Sequence, residues 1–152
     1  MTSASARLRE LGLTLPSVAT PAGSYLPARR AGVLVFTAGQ LPLVDGALAA
    51  TGKVGAKVTP EQAAGLARIC ALNGLAAVDA LVGLDAVAGV VKVVGFVASA
   101  PGFTGQPGVL NGASDLLAEV FGEAGRHARS AVGVAELPLG APVEVELVVE
   151  LS

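Results

Sequence analysis

The 152-residue chain has no tryptophan, one tyrosine, four phenylalanines, one cysteine, one histidine, and only 14% charged residues. So few aromatics cannot build a base-stacking platform, and a net charge of -2 leaves no electrostatic footprint for nucleic acid. A lone Cys70 excludes an intrachain disulfide; set among Ile69, Ala71 and Leu72, it reads as a small buried apolar residue. One histidine and one cysteine do not supply a zinc site with the usual ligands. No basic segment leads an apolar run at the N-terminus, so no signal peptide is read there. The longest weakly charged run, Ile69 to Val91, contains Asn73, Asp79 and Asp85, which argues against a membrane span. The expectation is a cytoplasmic, metal-free protein with neither nucleic acid nor membrane as partner.

Apolar residues and glycine are abundant. Hydrophobic residues make up 53% of the chain, a surplus over charged surface that points to apolar area buried between subunits as well as within one. The length suits one domain with one core. Twenty glycines invite a phosphate loop. However, no Gly-Lys-Ser/Thr P-loop occurs, and no glycine-rich piece joins a strand to a helix in a dinucleotide fingerprint.

Periodicity predicts a short helix over Ala6 to Leu11 and a short extended piece over Tyr25 to Pro27. A strand is expected over Val33 to Thr37, and a turn at Val44-Asp45-Gly46. The clearest helix starts behind Thr59, with Pro60 at its first position and Gln62 completing a capping box, and runs to about Val82 before Gly83. A valine-rich buried strand follows over Asp85 to Ala98, then a Gly/Pro loop over Pro101 to Pro107 and a second helix over Ser114 to Phe121. Two strands, about 128–136 and 143–150, close the chain. The order β-β-α-β-α-β-β implies an α+β fold, with two helices on one face of a mixed sheet.

The last quarter carries the candidate chemistry. Arg129 enters one strand, Leu137-Pro138 turns, and Glu144, Glu146 and Glu150 alternate with Val143, Val145, Leu147 and Val149 on the next. That alternation suits the solvated face of a half-buried strand, and it equally offers a carboxylate to a site. If these strands form a hairpin turning near Leu139-Gly140, Glu144 lies opposite Ala135. Arg129 is then about 20 Å away at ~3.3 Å per residue. One small ligand could not touch both within one chain, so a shared site would need two neighbouring chains. His127 and Ser130 do not make a nucleophilic triad, since no carboxylate is placed to orient the ring; His127 reads as a surface or interface residue.

These residues resemble a known family. Ala128-Arg129-Ser130, Leu137-Pro138 and Val143-Glu144-Val145-Glu146 are similar to the C-terminal signature of the RidA/YjgF proteins. Those are the reactive-intermediate imine deaminases, once labelled L-PSP endoribonucleases or translation inhibitors. Gly23-Ser24-Tyr25, Phe36-Thr37-Ala38-Gly39-Gln40-Leu41-Pro42 and Asn111 match in order, so the resemblance spans roughly 20–150. It implies a chorismate-mutase-like fold over a single 1–152 domain, with 1–19 as an N-terminal extension bearing the short helix. Three chains would close a central β-barrel with active clefts between subunits. By the same resemblance Arg129 holds a substrate carboxylate and Glu144 activates water. Tyr25 and the Gly39 carbonyl position substrate and water, and Asn111 lines the cleft. The implied reaction is hydrolysis of an enamine or imine such as 2-aminoacrylate to a 2-keto acid and ammonia, without cofactor. The rival reading is a non-catalytic trimer that binds a small carboxylate; the endoribonuclease of the old label is the third. The chain departs from the family at Ala131, where a cysteine is common, at His127 in place of a proline, and at Ser24.

Overall fold

The computed structural model describes residues 2–152. A seven-residue helix α1 (Ala4–Glu10) is capped by Ser3, whose hydroxyl accepts from the Ala6 amide, and the chain reverses at Gly12. It begins two residues before the predicted helix. Tyr25 to Pro27 bends, and the strand lies just beyond it, β1 (Ala28–Ala31), paired with β2 (Leu34–Thr37). The turn expected at Val44-Asp45-Gly46 joins β3 (Leu43–Val44) to β4 (Ala47–Leu48); Asp45 and Gly46 both take positive φ, as a type I′ hairpin requires.

The long helix α2 (Pro60–Val82) has the predicted capping box, with Thr59 and Gln62 exchanging hydrogen bonds of 2.9 and 3.1 Å, and it stops at Gly83. By length and composition α2 could cross a membrane, with a mean hydropathy of 1.5 in its most apolar window, but 56% of that window is buried inside this fold. Cys70 is fully buried on it. Asn73, buried and polar, donates to the carbonyls of Leu41 and Leu43 and so ties α2 to the segment that precedes β3. Strand β5 (Val87–Ala98) follows a single 3-10 turn.

Helix α3 (Gln106–Phe121) starts eight residues before the predicted one, inside the stretch that reads as a Gly/Pro loop. Pro107 sits in the first turn, where a missing N–H breaks no helical bond. Gly112 is required by packing, since a side chain there would collide with the Ala64 carbonyl of α2. Asn111 therefore lies within the helix and not before it.

The last strands are β6 (Ala128–Val134) and β7 (Val143–Leu151), close to their predicted bounds. They do not form the expected hairpin. The sheet order is β1-β2-β7-β5-β6, so β5 separates them, antiparallel to β7 and parallel to β6. The parallel pair needs a crossover, which α3 provides. Thus α2 and α3 cover one face of a mixed sheet. Val143, Val145, Leu147 and Val149 of β7 are all buried beneath the helices, as their alternation predicts. On the other face stand Phe36, Val94, Phe96, Val132 and Val148, with Glu144, Glu146 and Glu150 among them. No helix among the described residues lies on that face; Phe36 and Val132 are 44% and 43% exposed.

Candidate functional site

The predicted site residues gather in two places. In the first, Arg129 leaves edge strand β6 on the helix-covered side and reaches α3. Its Nη1 donates to Asn111 Oδ1 at 2.8 Å and to Ser114 Oγ at 3.1 Å, and its Nη2 to the Pro107 carbonyl at 3.3 Å. Among the described residues Nε has no acceptor, so one edge of the guanidinium stays available for a planar anion. A cleft of about 350 Å³ opens here, lined by Asn111, Ser114, Asp115, Arg126, His127 and Arg129.

Ser114 and the part His127 plays escape the sequence reading. The signal that could have found Ser114 is helical spacing: it lies three residues after Asn111, on the same face of α3. The Nδ1 atom of His127 is 2.7 Å from the Gly125 carbonyl, which can only accept, so Nδ1 carries the proton. In the neutral ring Nε2 then accepts from the Ser114 hydroxyl at 2.9 Å. The partner of His127 is thus Ser114, not Ser130.

In the second place, Tyr25, Gly39 and Glu144 surround a cleft of about 470 Å³ with Phe96, Pro138 and Glu146. Glu144 stands on the open face of the central strand β7, beside Phe96 of β5. Paired backbone bonds between Gln40 and Val145 pull Gly39 against it, so that a Cβ at Gly39 would lie 2.7 Å from the Glu144 carboxyl carbon. Glycine is needed there for space. Half-burial raises the Glu144 pKa above the ordinary glutamate value, and the charge of Glu146 adds to the effect. Tyr25 is half exposed, and its hydroxyl accepts from the Ala22 amide at 3.1 Å.

The two groups do not meet within one chain. Arg129 is level with Val93 and Glu144 with Phe96, so they stand three residues apart along the sheet and two strands apart across it. That is about 14 Å between Cα atoms by standard sheet spacings. They also point to opposite faces. The separation differs from the 20 Å of a hairpin, but one small molecule still cannot touch both. Among the described residues no three of His, Cys, Asp or Glu converge as metal ligands would.

A mixed sheet with two helices on one face and the other face bare defines a small α+β class. A family model described as "YjgF/chorismate mutase-like, putative endoribonuclease" matches residues 5–151. The chain belongs to that family. It is 48% identical to Protein TCP17 of Trypanosoma cruzi, over 97% of this chain and 93% of that one. Among solved structures it is similar to the protein Atu1372 of Agrobacterium tumefaciens, whose function is unknown. Those two share 47% identity with a TM-score of 0.89, covering 96% of this chain and 91% of that one. A Shewanella oneidensis protein with the same endoribonuclease description shares 35% identity at a TM-score of 0.94, covering 98% and 99%. More distant is Escherichia coli TdcF, solved with bound serine, at 26% identity and a TM-score of 0.66, covering 91% and 96%.

Proposed function

We propose that the protein is a cytoplasmic homotrimer that hydrolyses reactive enamines and imines of the 2-aminoacrylate type to 2-keto acids and ammonia. The observation that carries the reading is the division of the site. Arg129 offers a prepared carboxylate-binding edge on one face. Glu144 offers a half-buried carboxylate on the other, and neither group is a site alone. Both become one cleft when the open face of one chain meets the β6 edge of its neighbour.

In that cleft Arg129 grips the substrate carboxylate side-on, with Asn111 beside it. An enamine first tautomerises to the imine. Glu144 takes a proton from water as the water oxygen bonds to the imine carbon, and passes that proton to the imine nitrogen, which gives a neutral carbinolamine. Glu144 then takes the carbinolamine hydroxyl proton and delivers it to the amino group as the C=O bond forms and the C–N bond breaks, so ammonia leaves a keto acid. Tyr25 and the Gly39 carbonyl hold substrate and water in line. No electron is gained or lost, so the reaction requires no redox cofactor.

A second reading is a trimer that binds a small carboxylate without turnover. The serine bound to TdcF favours it, and Arg129 would serve it equally. The endoribonuclease description finds less support here, because a net charge of -2 and scarce aromatics give no electrostatic or stacking footprint for RNA. Glu144→Gln separates the first two readings. It keeps the size of the side chain but cannot take a proton, and turnover in an imine-trapping assay should fall by ~10²–10⁴-fold while 2-ketobutyrate still binds. Binding of 2-ketobutyrate by a parent protein that turns over no imine would instead establish the binding module.

A further inference from the structure

Behind Arg129 runs a chain of polar contacts that the reaction above does not use: Ser114, His127 and the Gly125 carbonyl. We propose that His127 and Ser114 are positioning residues that hold the Arg129 guanidinium with its Nε edge turned to the cleft, and so set the affinity for the substrate carboxylate. The proposal rests on the carboxylate-binding reading of Arg129.

An arginine on an edge strand has many rotamers to lose before it can act as a fork. Arg129 can only donate, so both of its side-chain partners must present a lone pair to it, and either could fail to. An amide can present nitrogen in place of oxygen, and a hydroxyl can donate in place of accepting. At Ser114 the direction is fixed from behind. With the ring neutral, Nδ1–H of His127 donates to the Gly125 carbonyl, Nε2 accepts from the Ser114 hydroxyl, and a lone pair of Oγ is left for Arg129. The carbonyl itself is set by close packing, since a side chain at Gly125 would collide with the Leu117 carbonyl of α3. The outcome is that Nη1 is occupied by Asn111 and Ser114 and one Nη2 proton by the Pro107 carbonyl, while Nε is left without a partner on a side chain that lines the cleft.

Ser114 beside His127 also has the outline of a nucleophile with its base. The arrangement does not favour attack. A cation occupies an Oγ lone pair, and the backbone amides around Ser114 are spent in the interior of α3, which leaves no oxyanion hole.

The test uses the intact protein and five variants, with two readouts: steady-state turnover of imines made by an amino-acid oxidase, and calorimetric titration with 2-ketobutyrate. Ser114→Ala and His127→Ala should each raise KM for the imine and Kd for the keto acid about tenfold, as loss of a hydrogen bond to a charged group does. The kcat should stay within about twofold, because ground state and transition state lose the contact equally. The double variant should be no worse than either single, since the two residues act in series. Ser114→Thr, which restores a hydroxyl, should bind like the parent. Parent-like KM and Kd in folded Ser114→Ala or His127→Ala overturn the proposal, as does a kcat loss with unchanged KM. Arg129→Lys identifies which idea has failed. If it binds the keto acid weakly while the Ser114 and His127 variants bind normally, only the positioning role falls. If Arg129→Lys binds as the parent does, the carboxylate reading falls with it.

Discussion

Glu144 is held in a form that the fold does not favour. Half-burial and the neighbouring Glu146 raise its pKa, so the folded chain binds the proton more tightly than the unfolded one. Stability therefore falls as pH rises from the ordinary glutamate range through the raised value, and the loss is complete above it. Glu144→Gln should raise the melting temperature near neutral pH, and its advantage should shrink as the pH is lowered; an equal gain at every pH would show that charge is not the cause. A carboxylate that costs stability is common where a base is needed. Gly39 is the companion case. A methyl group there would press on the mobile end of Glu144 and not on backbone. Gly39→Ala should leave the melting temperature within a few degrees, as a change of about 0.5 kcal/mol would. Imine turnover should nevertheless drop severalfold, because the carboxylate is displaced. A large melting shift with normal turnover would mean that Glu144 tolerates the displacement.

At the scale of elements, α1 shows how a short helix is kept in place. It has one fully buried anchor, Leu8. Ala4 packs against the core beside it, and the other ties are polar: the Ser5 hydroxyl and amide both donate to Asp85, at 2.6 and 2.8 Å, and Arg7 donates to the Glu119 carbonyl. The bonds from Ser5 hold the Asp85 carboxyl below its ordinary pKa. This clasp is present above the ordinary aspartate range and is lost as pH falls through the lowered value. Protection from hydrogen exchange over Ala4–Glu10, relative to the intrinsic rate at each pH, should fall in acid, and Asp85→Asn should lower it at neutral pH; unchanged protection in the variant would leave Leu8 and Ala4 as the anchor. The same scale explains what could be read in advance. Helix α2 declared itself because its capping box is local chemistry, complete within four residues. The first two turns of α3 did not, because Gln106 and Pro107 lie in a stretch that reads as a Gly/Pro loop, and Gly112 suits a helix only once the approach of Ala64 is known. The pairing of β6 and β7 was misread for a related reason. Both strands were visible in the sequence, but a parallel partner is chosen by a crossover, not by the residues of the strand. Among the site residues, Arg129, Glu144, Gly39, Tyr25 and Asn111 stood out through the family motifs. Ser114 and its link to His127 depend on the packing of the Gly125 turn, which no motif records.

The whole molecule is where the open face and the divided site must be explained together. Phe36, Val94, Phe96, Val132 and Val148 form an apolar sheet surface without a helix over it, and the carboxylate proposed to act on water stands among them. A ring of three chains would bury that surface and bring each Arg129 edge to the Glu144 of its neighbour. This arrangement makes a prediction that no single-chain site can imitate. Arg129→Lys and Glu144→Gln should each be inactive in the imine-trapping assay. Unfolded together in equal amounts and refolded, they should regain activity. Each cleft takes its arginine from one chain and its glutamate from the next, so it is intact with a chance of one half times one half, and about a quarter of parental turnover should return in a closed ring with head-to-tail interfaces. Light scattering on the same sample should give the mass of a trimer at micromolar concentration. Refolded trimers without activity would place both groups in a cleft of one chain or remove one from the chemistry. A monomeric mass would remove the shared cleft altogether. Recovery in the mixed trimer alone, with each variant inactive when refolded by itself, follows only if Arg129 and Glu144 serve the same substrate from different chains.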